Sequence, residues 1–446
     1  MNGWRGASPT ARLLLVAVLL TGLTTFMFLP LLAIELTAQG IPAGRTGFLV
    51  GLLAFSSQAF SLLSGLLVDR LGPRRVMAAG FLLRIAGYVL LGLGGAARPA
   101  PLVAGIVAVG VGGSMLGLST KTLLVSQEGS DPRTMLALRS TFVNIGVVVG
   151  PALGALVYPL GFRYILAACV LSHLVLGIGL VSGRTAAAVP GRTTAKATAT
   201  ATATAAAAKA TGPGAGPGPG PGPGPVAEPG AAKDTAPVAA PGTEPEPAAG
   251  RPGDVTRWTL LRHWAPLAAL GVAYWAIYSQ LNVLLPIAAN ELTGSTAAIS
   301  VVFTANGLLV VLFQYTLLSR VFRRATARTL LALGFLAFAC AYAVLIPLAG
   351  WYSLLAFVLP VTLAEMLIGP SLDEQAVNAA ALRRTGLALG TMSAAGALGS
   401  LLGSSLGGRL LQATRGGSLA WVLLVGCSLA AAAICLLLPK VRTRHA

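Results

Sequence analysis

Charged residues are scarce in this chain of 446 residues: only 10% are Asp, Glu, Lys or Arg, and only 13 are acidic. Hydrophobic residues make up 55% of the chain, and its mean hydropathy is +0.80. A typical soluble domain carries about 25% charged residues. The scarcity of charge therefore excludes an ordinary water-soluble protein and indicates a lipid bilayer as the solvent.

Cysteine is also rare. The four cysteines, Cys169, Cys340, Cys427 and Cys435, all lie in apolar runs without C-x-x-C spacing, so we interpret them as small core residues. The phosphate-binding pattern G-x-x-x-x-G-K-[ST] is absent, which excludes direct ATP drive by this chain. No metal cluster and no nucleophile–base pair is visible, and we expect no enzyme activity, no cofactor and no metal.

Apolar runs of about 20 residues, the length that spans a bilayer, recur along the chain. Since lipid cannot satisfy backbone polar groups, continuous runs of this kind predict helices. We predict an all-α integral membrane protein with twelve spans. They lie near residues 11–35, 46–68, 76–96, 102–125, 138–158, 162–183, 264–289, 296–319, 328–348, 351–371, 385–411 and 418–438.

The net charge of +18 has its explanation in the positions of the 31 Lys and Arg residues. If both termini are cytoplasmic, 25 of these cations fall in the tails or in cytoplasmic loops, a bias of the kind that the positive-inside rule describes. Nucleic acid is therefore not needed as a partner. The exceptions are Arg84, within a helix, and five residues near external ends: Arg45, Arg98, Arg163, Arg409 and Arg415.

Residues 185–256 separate the two sets of apolar runs and consist mostly of Ala, Thr, Pro and Gly. Such a segment lacks the apolar side chains that offset chain entropy, and we predict a disordered cytoplasmic linker that could also bind a partner. The predicted domains are a six-helix bundle at 1–184, the linker at 185–256 and a second six-helix bundle at 257–446.

The two halves show signs of an internal repeat. Leu29-Pro30 and Leu285-Pro286 are each followed, after four residues, by Glu-Leu-Thr. The glycines Gly146, Gly150 and Gly154 in span five also match Gly399, Gly403 and Gly407 in span eleven. Glycines four apart lie on one helix face and allow another helix to approach closely. The repeat predicts two bundles related by pseudo-two-fold symmetry around a central site.

One loop motif is more specific. Between spans two and three the chain reads Gly65-Leu-Leu-Val-Asp69-Arg70-Leu-Gly72-Pro-Arg74-Arg75, which resembles the G-x-x-x-D-R-x-G-R-[KR] signature of the major facilitator superfamily. The resemblance implies a secondary transporter with this fold. The acid beside several cations could form charge-assisted hydrogen bonds that latch the bundles together on the cytoplasmic side. Alternatively, the arginines only fix the topology.

Span five resembles the antiporter motif G-x-x-x-G-P-x-x-G-G of drug:proton antiporters in this superfamily. It carries Gly146, Gly150, Pro151 and Gly154, but Ala155 replaces the last glycine. The resemblance implies export, and we expect these glycines to permit tight packing against the other half. The arginine that the family often has in span four is replaced by Ile106, which leaves proton coupling less secure.

Ionisable residues within hydrocarbon are costly and are candidates for function. Glu365 in span ten and Glu35 at the end of span one are the candidate proton- or ion-coupling residues, although Glu365 could be a packing residue and Glu35 an interfacial one. We interpret Arg84 as snorkelling or paired structurally, and His173 as a satisfied core histidine.

Polar and aromatic residues on the spans suggest a substrate cavity. Span seven carries Tyr274, Tyr278 and Asn282 on one face beside Trp275, which suits an amphipathic organic molecule. The alternative is an aromatic packing seam. Further candidates for the cavity are Thr21, Thr25, Gln58 and Asn144.

These features predict a monomeric, multi-pass transporter of the plasma membrane that exports a small organic compound, such as a drug, in exchange for protons or another ion. The alternatives are a proton-coupled importer of a small metabolite and a membrane sensor that does not transport.

Overall fold

The structure is a computed structural model that describes residues 8–126, 132–182, 257–322, 325–347, 350–379, 385–414 and 418–437. The predicted linker at 185–256 lies outside the described residues. Within them the chain is helical between short turns, and its extended structure is one isolated bridge between Gly95 and Arg98.

The described residues form twelve helical units, which we number α1 to α12 in chain order. Two of them are interrupted: α2 bends after Ala59, and α7 contains a 3-10 turn at Ser279–Asn282. The bounds are Pro9–Ala38 for α1, Ala43–Ala59 and Ser61–Leu71 for α2, Pro73–Leu93 for α3, Pro99–Val125 for α4, Pro132–Val157 for α5, Phe162–Ser182 for α6, Arg257–Tyr278 and Leu284–Thr293 for α7, Ala297–Thr316 for α8, Ala327–Val344 for α9, Trp351–Ala379 for α10, Thr385–Thr414 for α11 and Leu419–Leu437 for α12.

Each predicted span coincides with one of these units, so the all-α fold expected from the sequence is confirmed. Among the described residues, ten helices are long and apolar enough to cross a membrane, and the bent pair in α2 makes an eleventh. The unit outside that set is α11, which is rich in glycine and serine. Its glycines and serines lower the mean hydropathy of the helix, and they allow neighbouring helices to pack closely.

The turn between α2 and α3 shows how the loop motif is built. Gly72 ends α2 with φ of +85°, a left-handed conformation that a residue with a β-carbon rarely adopts. Pro73 then occupies the first position of α3, where its missing N–H leaves no intrahelical bond unmade. Gly72 therefore shapes the loop, and the polar residues of the motif flank it.

The glycine ladders pack inside their own bundles. A β-carbon on Gly150 of α5 would lie 2.8 Å from the carbonyl oxygen of Leu23 in α1. A β-carbon on Gly399 of α11 would lie 2.5 Å from the carbonyl oxygen of Val272 in α7. The expectation that the span-five glycines pack against the other half is therefore wrong. The α1–α5 contact corresponds to the α7–α11 contact, as the repeat requires.

Other glycines bring the two bundles together. Gly47 of α2 meets Ser404 and Gly408 of α11, and Gly51 of α2 meets Leu401. These contacts lie in the half of the molecule that we predict to be external. On the opposite flank, Gly307 of α8 packs against Val147 of α5. The interface between the bundles is built from small residues on α2, α8 and α11, which allow the helices close approach.

The cysteines divide into two pairs. Cys169 and Cys435 are buried, as expected of core residues, but Cys340 and Cys427 are exposed on the helix surface. The expectation of four core cysteines is thus wrong for Cys340 and Cys427. All four described cysteines are free thiols.

Candidate transport site

Glu365 lies in the middle of α10 and joins three helices of the second bundle. Its Oε1 accepts a hydrogen bond of 3.2 Å from the Tyr278 hydroxyl of α7, and its Oε2 accepts one of 3.1 Å from Asn306 Nδ2 of α8. The Asn306 amide also donates to Thr362 Oγ1 at 3.0 Å. Each carboxylate oxygen thus faces a donor, an arrangement that suits the ionised acid.

The interruption of α7 sits beside this cluster. After Tyr278 the helix tightens into the 3-10 turn, and the carbonyl of Ile277 accepts a hydrogen bond of 2.7 Å from the Tyr342 hydroxyl of α9. The side-chain oxygens of Gln280 and Asn282 are buried without a hydrogen-bond partner among the described residues. A break within a membrane helix is typical of transporter binding sites.

The aromatic residues of α7 take different environments. Tyr274 is only 5% exposed and belongs to the core, where its ring lies 6.2 Å from that of Phe338. Trp275 and Tyr278 are partly exposed, with ring centroids 5.6 Å apart. Tyr274 therefore fits the packing seam, whereas Trp275 and Tyr278 are available to line a cavity.

Gln58 of the first bundle reaches the second. Its Nε2 donates to Ser400 Oγ of α11 at 3.4 Å. A β-carbon on Gly396 of α11 would touch the Gln58 amide oxygen and lie 3.0 Å from Trp275 Nε1. The absence of a side chain at Gly396 thus brings Gln58 and Trp275, two predicted cavity residues, to the same point.

Thr21 and Thr25 lie on α1, a helix that contacts α2, α4, α5 and α6 as well as α7 and α8. α1 thus contacts helices of both bundles, and both threonines are partly exposed. The Thr25 hydroxyl donates to the carbonyl of Thr21 at 2.7 Å. Asn144 of α5 is also partly exposed, but the described contacts do not link it to the other cavity candidates.

Arg84 of α3 does not snorkel, contrary to one of its two expected roles. It is 3% exposed, and its Nη2 donates to Thr25 Oγ1 at 2.8 Å and to the Tyr88 hydroxyl at 2.7 Å. Its Nε has no hydrogen-bond partner in the described part of the chain. A charged arginine at a helix centre costs about 2.5–3.5 kcal/mol on insertion scales, so this placement calls for a compensating role.

His173 of α6 lies beside Arg84 and is fully buried, with ring contacts to Phe81 and Tyr88. Its Nδ1 is 2.8 Å from the carbonyl oxygen of Cys169, but its Nε2 has no partner among the described residues. The expectation of a satisfied core histidine is therefore met at one ring nitrogen and not at the other.

Glu35, the second candidate coupling residue, is held at the end of α1. Its Oε2 accepts from the Tyr158 hydroxyl at 3.1 Å, and its Oε1 accepts from Gln39 Nε2 at 2.8 Å. These partners belong to the first bundle. The repeat partner Glu291 is exposed. The contacts fit the interfacial alternative for Glu35.

The loop motif lies at the junction of α2 and α3. Asp69, Arg70, Arg74 and Arg75 are all exposed, whereas Gly65 packs near Leu118 of α4. The facing ends of α10 and α11 run into residues outside the described part, so the structure leaves the latch a prediction.

Sequence reasoning missed Asn306 and Thr362, which complete the environment of Glu365, and Ser400 opposite Gln58. A strongly polar residue on an otherwise apolar span indicates a possible site residue, and Asn306 is such a residue within α8. Serine and threonine carry almost none, because they commonly bond their own helix backbone, as Thr362 does to Val358 at 2.6 Å. The described residues contain no group of three or more His, Cys, Asp or Glu that could hold a metal ion.

Comparisons with known proteins agree with this architecture. The family model for the Major Facilitator Superfamily matches residues 14–373. Relatives include the uncharacterized MFS-type transporter Rv0849 of Mycobacterium tuberculosis, 28% identical over 161 residues, which are 36% of this chain and 38% of that protein. The multidrug resistance protein MdtH of Aeromonas hydrophila is 29% identical over 149 residues, which are 33% of this chain and 37% of that protein. The chain thus spans less than two fifths of the length of these relatives.

Solved structures match over almost the whole chain, but their sequence identities are so low that they show only the fold. A POT family transporter in complex with 5-aminolevulinic acid has a TM-score of 0.69 at 12% identity, covering 97% of this chain and 96% of that one. The peptide transporter POT in complex with sulfate has a TM-score of 0.69 at 15% identity, covering 97% and 95%. The chain therefore belongs to the Major Facilitator Superfamily, and its described helices are those of a multi-pass membrane protein.

Proposed function

We propose that this transporter exports a small organic compound by alternating access, in exchange for protons, and that Glu365 is the proton-carrying residue. The observation that carries the proposal is the position of Glu365 at the centre of α10, with one partner on α7 and another on α8. An acid in hydrocarbon is costly and is retained where it moves a proton or binds a ligand.

The hydrogen bonds suggest which oxygen takes the proton. Asn306 Nδ2 can only donate, so a proton on Oε2 would make that oxygen a poorer acceptor and weaken the bond. The Tyr278 hydroxyl can donate or accept, so a proton on Oε1 needs only a rotation of that hydroxyl. Oε1 is therefore the proposed site of protonation.

A route from Glu365 to the bundle interface supports the coupling. Asn306 is adjacent in sequence to Gly307, which packs against Val147 of the first bundle. Neutralising Glu365 weakens its charge-assisted bond to Asn306, because such bonds are roughly twice as strong as neutral ones. The weaker bond would alter the position of α8 at its contact with α5, and this change would bias the rocking of the two bundles.

Export rather than import is supported by the match of Gly146, Gly150, Pro151 and Gly154 to the antiporter motif. A second support is the relative named multidrug resistance protein. The transporter would work as a monomer in the plasma membrane with both termini cytoplasmic. Residues 185–256 would then form a cytoplasmic linker between domains at 1–184 and 257–446, with Asp69 and its neighbouring arginines as a latch.

The test is dye efflux from energised cells that express the chain, with and without a protonophore. Efflux that stops when the gradient collapses supports proton-driven export. A metabolite accumulated by the same cells, with no efflux across a broad dye panel, would instead identify an importer. A deletion within 185–256 that spares flux but abolishes a cellular response would point to a sensor.

A further inference from the structure

We propose that Arg84 is the anion-binding half of the transport site, and that the cargo carries a carboxylate or a similar anionic group. That the bound anion is a transported compound rests on the proposed function. The anion site rests on the contacts of Arg84.

The first observation is charge. Arg84 is almost fully buried, and the groups that surround it are the hydroxyls of Thr25 and Tyr88, the thiol of Cys169 and the imidazole of His173. No described acidic side chain forms an ion pair with it. A buried cation of this kind is stable only when something anionic or strongly polar joins it.

The second observation is an unmet donor. Nη2 is used by Thr25 and Tyr88, but Nε is buried without a partner within the described part of the chain. Buried donors are nearly always paired, and an exception calls for a ligand, a water molecule or an ion. The guanidinium also lies 5.5 Å from the Tyr88 ring, which holds it in place but does not neutralise it.

The third observation is access. Arg84 belongs to α3, yet its side chain passes along Gly112 of α4, where a β-carbon would lie 2.7 Å from Arg84 Cγ. This gap lets the guanidinium reach Thr25 on α1. Thr25 is partly exposed, and α1 contacts helices of both bundles, so the charged end of Arg84 reaches the helix that lies against both bundles.

The opposite bundle supplies the complementary group. Glu365 with Asn306 and Tyr278 presents a carboxylate, whereas Arg84 with Thr25 presents a cation, and each bundle holds one of them. An anion bound at Arg84 would supply the missing counter-charge. We therefore expect organic anions to bind and their neutral or cationic counterparts to bind much more weakly.

The experiment is a thermal-shift assay on the purified full-length protein with three probes of nearly the same shape: benzoate, benzamide and benzamidine, at equal ionic strength. Benzoate should raise the Tm of the wild type by about 2 °C or more when it saturates, and the other two should not. Arg84→Gln should abolish the benzoate shift, Arg84→Lys should keep part of it, and Arg163→Gln, which removes an exposed cation, should keep all of it.

A wild type that responds no more to benzoate than to benzamide would overturn the proposal, whatever the variants do. So would an Arg84→Gln protein that keeps the full benzoate shift. If that variant fails to fold, the wild-type series and Arg84→Lys decide. Because the assay needs neither flux nor a proton gradient, an Arg84-dependent benzoate shift would retain the anion site even if the same cells accumulated a metabolite and the export proposal failed.

Discussion

Gly47 of α2 and Gly408 of α11 face each other across the interface between the two bundles, so closely that a β-carbon on Gly47 would lie 3.1 Å from the α-carbon of Gly408. A β-carbon on Gly408 would in turn meet the backbone of Ala43. The contact closes the half that we predict to be external, and it can form only while both positions lack side chains.

Gly47→Leu should therefore prevent this closure. Overpacking of a tight contact costs roughly 1–3 kcal/mol, and a cost of that size shifts a two-state equilibrium by about 5- to 150-fold. We expect transport to fall by a similar factor while membrane insertion stays normal. The matched control is Gly426→Leu on α12, where a β-carbon would meet no other atom within 4 Å among the described residues. Equal transport by both variants would argue against a closing role for α2 and α11.

Glu365→Gln should uncouple transport from the proton gradient. The amide keeps the shape and can still bond Tyr278 and Asn306, but it cannot gain or lose a proton. We expect efflux against a gradient to be lost, whereas exchange of labelled for unlabelled substrate persists in proteoliposomes. Glu374→Gln, an exposed acid on the same helix, is the control and should retain uphill efflux. Retention of uphill efflux by Glu365→Gln would remove Glu365 as the proton carrier.

Asp69→Asn should cripple transport with normal insertion, because the neutral amide weakens any charge-assisted bond to a partner across the interface. The measurement is the initial rate of efflux at equal amounts of protein in the membrane. Glu291→Gln, another exposed acid at the opposite end of the molecule, should transport at the wild-type rate. Full activity in Asp69→Asn would reduce the motif to its effect on topology.

Gly403→Val should destabilise the second bundle without affecting a charged group. A β-carbon on Gly403 would overlap Ala276 of α7 and lie 2.6 Å from Ser279 Oγ. We expect a lower Tm in detergent, with a loss of roughly 1–3 kcal/mol typical of an overpacked core. The repeat predicts the same for Gly150→Val, which would press on Leu23, Phe26 and Met27 of α1. Gly113→Val, with no described neighbour within 4 Å, should unfold at the wild-type temperature.

The positions of the helices, though not their exact ends, were predictable because hydrocarbon imposes a simple rule on the chain. A helix that crosses a bilayer needs a continuous apolar run, and each of the predicted runs became a helical unit. The predicted loop between spans two and three is also present, with Gly72 after the end of α2 and Pro73 at the start of α3. The loop motif added the superfamily, which the family model then confirmed over residues 14–373.

The sequence did not predict in the same way which helices pack against one another. The spacing of Gly146, Gly150 and Gly154 predicted close packing, but the contact with α1 rather than with the other bundle required the tertiary structure. Spacing reports which residues share a face, and it carries no information on which helix covers that face.

The sequence by itself determined that the protein lies in a membrane, how many helical units its described residues form and which superfamily it resembles, because composition, apolar length and a local motif are properties of single segments. Only the tertiary structure decided that Glu365 is bonded to Tyr278 and Asn306, that Arg84 reaches Thr25 past Gly112, and that Gln58 crosses to α11. Those relationships join residues far apart in the chain, and they arise from how the helices pack, which no single segment encodes.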